Sequence, residues 1–79
     1  MFRMYGNFQF KLEKDYYVNI KTNSYFQITK YRNTENYIVV FFSKDGNRLL
    51  EKSFDAKNHE FEGKLDEIVK EFEKKFERE

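Results

Sequence analysis

The chain has 79 residues, fifteen Lys/Arg against fourteen Asp/Glu, and a formal net charge of +1. That is one domain, residues 1–79, close to the lower size limit for a single core, where a fold ordinarily needs disulfides, a structural metal, an oligomer interface or dense packing. No cysteine and one histidine, His59, exclude disulfides, thiol nucleophiles, thiolate zinc sites and two-histidine metal sites. Dense packing, supplied by ten Phe and six Tyr, and self-association are what remain.

The chain holds no internal repeat, linker or low-complexity segment. No run approaches the roughly 18 apolar residues of a membrane span, and no signal-peptide pattern opens it. The expectation is a cytoplasmic protein with no membrane partner. Lys, Phe, Asn and Tyr are frequent while Pro is absent. These residues have A/T-rich codons, a usage that suits low-GC bacteria and their phages and plasmids.

After an N-terminal segment, 1–6, residues 7–54 alternate with period two and predict a β-meander. Phe8, Phe10 and Leu12 oppose Gln9, Lys11 and Glu13, and Lys14-Asp15 marks a turn. Tyr16, Val18 and Ile20 then oppose Tyr17, Asn19 and Lys21, up to a second turn at Asn23-Ser24. Phe26, Ile28 and Lys30 alternate with Tyr25, Gln27, Thr29 and Tyr31, and a loop runs from Arg32 to Asn36. Tyr37 to Phe42 is apolar at every position, and Asp45-Gly46 is a hairpin signal joining it to a last strand, Arg48 to Phe54.

The period changes after Asp55. Phe61, Leu65, Ile68, Phe72 and Phe76, with Val69 beside them, make one helical stripe and predict an amphipathic helix over 58–78. Asn58 is the expected N-cap. Asp66–Lys70 and Glu71–Lys75 add exposed pairs worth roughly 0.2–0.5 kcal/mol each. The fold class is therefore α+β: an antiparallel β-meander of about five short strands, strongly curved or partly closed, packed against one C-terminal α-helix.

The strand Tyr37–Phe42 raises a question of cover. If Val39 and Phe41 face the helix, Ile38, Val40 and Phe42 face away from it. Burial of such side chains is worth roughly 1.5–3 kcal/mol each. Three of them rival the whole stability of a marginal domain, on the order of 5 kcal/mol. Three covers are open: a curling sheet plugged by Phe2, Met4 and Tyr5; a second copy on Ile38, Val40 and Phe42; or a different macromolecule.

Charge divides along the chain. Residues 1–48 carry eight basic against four acidic residues, and residues 49–79 seven against ten. A mildly basic sheet precedes a mildly acidic helix. Alternation gathers Lys11, Tyr17, Lys21, Tyr25, Gln27 and Tyr31, with Arg32 next to them, into a candidate partner-binding face. Tyrosines among lysines on an open sheet can stack bases and neutralise phosphates. They are also ordinary occupants of a half-exposed strand. The order of strands followed by a helix resembles that of some single-strand-binding proteins and of the tail of pleckstrin-homology-like domains. The resemblance rests on element order, so no residue role follows from it.

Catalytic signatures are missing: no phosphate-binding glycine loop, no nucleophile elbow and no paired-histidine metal motif. Ser24, Ser43 and Ser53 lie in turns or a strand without an evident base, and no cofactor is implied. The expectation is a small non-enzymatic binding module, in type like the anti-CRISPR and other anti-defence inhibitors that phages and mobile elements carry. It would block a host protein or protein–nucleic-acid complex sterically, in the host-cell cytoplasm. The alternative is a single-stranded nucleic-acid-binding protein using the basic Tyr/Lys face, as a monomer or a homodimer.

Overall fold

A computed structural model describes residues 4–76. Five strands, β1 (Phe8–Lys11), β2 (Tyr16–Asn19), β3 (Tyr25–Lys30), β4 (Asn36–Phe42) and β5 (Arg48–Asp55), precede one helix, α1 (Phe61–Phe76). The strands form a single antiparallel sheet in the order β1-β2-β3-β4-β5, so each pairs with its sequence neighbour and β1 and β5 are the edges. The α+β meander with a C-terminal helix is the expected architecture, and the sheet is open. Phe2 of the expected plug and residues 77–78 of the expected helix lie outside the described residues.

Each hairpin turns on one residue with positive φ: Asp15 (58°), Asn23 (66°), Asn33 (61°) and Gly46 (90°). Asp, Asn and Gly tolerate this left-handed region best, which is why polar turn pairs separate the apolar runs. The β2–β3 turn has an additional anchor. Asn19 is buried, and its side-chain oxygen accepts from the backbone N–H groups of Lys21 (2.8 Å) and Thr22 (3.1 Å).

The core lies between the sheet and α1. Phe8, Phe26, Val39 and Phe41 from the strands meet Leu65, Val69 and Phe72 from the helix, all of them buried. Phe41 stacks on Phe72 with centroids 4.2 Å apart, and Phe8 sits 5.0 Å from Phe26. Val39 and Phe41 thus face the helix as their alternation requires. A register slip between Phe41 and Phe42 pairs Phe41 with Leu50 and Phe42 with Arg48, leaving Leu49 as the extra residue of a bulge. Both leucines pack against the core.

Tyr5 is buried in this core too, 5.5 Å from Tyr17, while Met4 is exposed. The described part of the expected plug therefore fills the helix side of the sheet and does not cover the other side.

The helix opens differently from the expected Asn58 cap. The Glu60 carboxylate accepts the Lys57 N–H (3.0 Å), and the Phe61 N–H reaches the Lys57 carbonyl (3.1 Å). That hydrogen bond holds the Glu60 carboxyl below its ordinary pKa. On the helix flank, Glu71 bridges Lys52 of β5 (2.9 Å) and Lys75 (3.8 Å), and the Lys52 hydrogen bond lowers its pKa as well.

Gly63 sits in the first turn of α1 with open space where a side chain would project. Gly63→Ala is accordingly expected to stabilise the fold by roughly 0.5–1 kcal/mol. The readout is a higher urea midpoint at unchanged slope.

Candidate functional site

The side of the sheet away from α1 is set by the register. Gln9 and Lys11 of β1 stand opposite Val18 and Tyr16 of β2, and Val18 stands opposite Tyr25 of β3. Tyr25, Gln27 and Thr29 oppose Phe42, Val40 and Ile38 of β4. Phe42, Val40 and Ile38 in turn oppose Arg48, Glu51 and Ser53 of β5. Along one line across the strands, Val18, Tyr25 and Phe42 lie side by side.

A sheet that turns one face to water ordinarily places polar residues there. This one places Tyr16, Val18, Tyr25, Ile38, Val40 and Phe42, each half-buried. The three rings cover one another. Tyr16 stacks on Tyr25 with centroids 4.5 Å apart and planes 23° apart, and Tyr25 stacks on Phe42 at 4.9 Å and 17°. Tyr16 and Phe42 flank β3 from opposite sides, so both flat sides of the Tyr25 ring are occupied. Stacked in this way, the rings turn their edges outward. Charges line the margins: Lys11 on β1, and Arg48 on β5 held by Glu51 at 3.2 Å.

The residues expected to form the partner-binding face separate. Lys11, Tyr25 and Gln27 share the outer face, and Ile38, Val40 and Phe42, expected as a distinct self-association face, lie on that same surface. Lys21 is in the β2–β3 turn, and Tyr31 and Arg32 are in the β3–β4 loop, all exposed. Tyr17 is a correction: it points to the helix side, stacked on Phe26 at 4.8 Å and 7° with Phe10 at 5.2 Å. Burial, and then the Glu62 carboxylate, push its phenol above the usual value of 10.0. Its folded pKa being raised, Tyr17 favours folding fully below pH 10, and that contribution is lost as pH climbs through the folded value.

Tyr16 takes the place expected of Tyr17. The sign that fixes this parity is Asn19, whose turn anchoring points it inward and carries Tyr17, two residues back, with it. Among the described residues no group of three or more His, Asp or Glu could hold a metal ion, and no helix is long and apolar enough to cross a membrane. Compared with protein-family models, curated proteins and solved structures, the chain matches none.

Proposed function

We propose that the protein is a non-enzymatic binding module that lays the outer face of its sheet on a protein surface and blocks that surface sterically. One observation carries this reading: six apolar or aromatic side chains share the outer face, and among the described residues no element is laid over them. Tyr and Phe held rigidly by stacking suit such a contact, because they bury large area at small cost in side-chain entropy. The size and residue usage fit an inhibitor carried by a phage or mobile element and directed at a host protein.

Geometry and charge both favour a protein over a single-stranded nucleic acid. Bases stack on open ring faces, and those of Tyr25 are taken by Tyr16 and Phe42. Phosphate binding needs several cations that can be given up to the backbone, and Arg48 is already paired with Glu51 on this face.

The test is capture with the tagged chain. A stoichiometric protein complex that survives washing at about 0.5 M salt is expected, since that salt leaves a Debye length of only a few ångströms and screens loose charge contacts. Val40→Glu, whose far-UV circular dichroism stays native, should lose the complex. Steeply salt-dependent binding to a single-stranded oligonucleotide, with no protein captured, would replace this reading by the nucleic-acid one.

A further inference from the structure

We infer that in the free protein the outer face is occupied by a second copy of the chain, packed face to face about a two-fold axis that runs along β3. The inference rests on the reading of this face as a protein-binding surface and names what occupies it before any target does.

The register carries the argument. In an isologous pair the same patch must complement itself. A two-fold axis parallel to β3, midway between two sheets packed about 10 Å apart, lays β1 over the partner's β5 and β2 over the partner's β4. Tyr16 and Val18 then stand over Val40 and Phe42 of the partner subunit, so apolar meets apolar on both sides of the axis. Lys11 stands over Glu51 of the partner subunit, and the same pair repeats at the opposite margin. On the axis itself Gln27 meets its own copy, and a primary amide both donates and accepts.

The competing axis, perpendicular to the strands, sets each strand on its own copy. Centred on Gln27 and Val40, it places Phe42 on Ile38 of the partner subunit and Tyr16 on its own copy, but it also sets Lys11 on its own copy and Glu51 on its own copy, like charges at both margins. The axis along β3 opposes five of the six apolar side chains, leaving Ile38 level with the β1–β2 turn, and it sets opposite charges together at both margins. The inclination of about 30° between aligned sheets shifts the margins by roughly 5–6 Å, one to two residues, which the long Lys and Glu side chains can span.

Sedimentation equilibrium over protein concentrations from about 1 μM to about 1 mM tests this. The expected mass is that of two 9.8 kDa chains, with reversible dissociation on dilution. Lys11→Glu and Glu51→Lys should each weaken the dimer by about tenfold, because each places like charges together at both margins. The double variant restores opposite charges and should recover most of the wild-type affinity.

A monomer throughout the range overturns the inference; if Val40→Glu still abolishes target capture, the binding-face reading survives without it. A dimer unaffected by Val40→Glu places the interface elsewhere and overturns the inference. Single variants that weaken the dimer with no recovery in the double variant overturn the two-fold arrangement.

Discussion

Phe41→Ala is expected to remove a large part of the domain's stability, about 3–5 kcal/mol. Phe41 is fully buried, stacked at 4.2 Å on Phe72 of the helix and 5.0 Å from Phe26 of β3. It also lies 5.9 Å from Phe8 of β1. Removing the ring deletes the closest ring contact between sheet and helix, leaving Phe8 at 6.0 Å from Phe72. Buried Phe→Ala changes cost about 3–5 kcal/mol, against about 4–12 kcal/mol of total stability for a chain of this length. The next residue in sequence is the control. Phe42 is on the outer face, half-buried by Tyr25 alone among the described rings, so Phe42→Ala should cost about 1 kcal/mol. Thermal melts followed by circular dichroism separate the two. Equal losses would contradict the placement of the core on one side of the sheet.

Gly6→Ala is expected to cost about 1–3 kcal/mol through two additive causes. Gly6 has φ of 58°, in the left-handed region where an alanine is strained. A side-chain carbon there would also stand 2.5 Å from the Glu73 carboxylate, which accepts the Asn7 N–H at 3.0 Å. The carboxylate has to swing away, and the clasp between the N-terminal turn and the end of the helix opens. Urea unfolding of a double-mutant cycle separates the causes. In a Glu73→Ala background only the backbone strain remains, so Gly6→Ala should cost less there than in the wild type. An identical cost in both backgrounds would show that Glu73 plays no part.

Nearly all of the architecture was legible in the sequence. Period-two alternation broken by Asp15, Asn23 and Asp45-Gly46 marks the strands, and the Phe61–Leu65–Ile68–Phe72 stripe marks the helix. Asn33, inside the expected loop, supplies the remaining turn. The side to which each strand face belongs was harder. The doublet Tyr16-Tyr17 presents the same residue type to both sides, so composition does not say which tyrosine is inside. Parity is settled by the β2–β3 pairing and by the buried Asn19, both of which depend on tertiary contacts.

The same difficulty divided one surface into two. Tyr25 and Gln27 read as a polar face, and Ile38, Val40 and Phe42 as an apolar one, until the β3–β4 register set them opposite one another. The Glu60–Lys57 closure at the helix start was hidden because Asn58, a strong capping type, stands between them. The side that Tyr5 plugs was hidden as well: its place on the helix side follows from the Gly6 turn and the pairing of Tyr5 with Phe8, neither of which alternation predicts.

The central claim is that this chain meets other chains through the outer face of its sheet. Hydroxyl-radical oxidation of the purified protein, read residue by residue across a dilution series, tests it most directly. Tyr16, Tyr25 and Phe42 should become protected as concentration rises, while Leu12 in the β1–β2 turn and Phe76 at the helix end, both exposed, react at a constant rate. Protection that falls on the helix would contradict the account, and oxidation of the three rings that is the same at every concentration would contradict the pairing of two copies through this face.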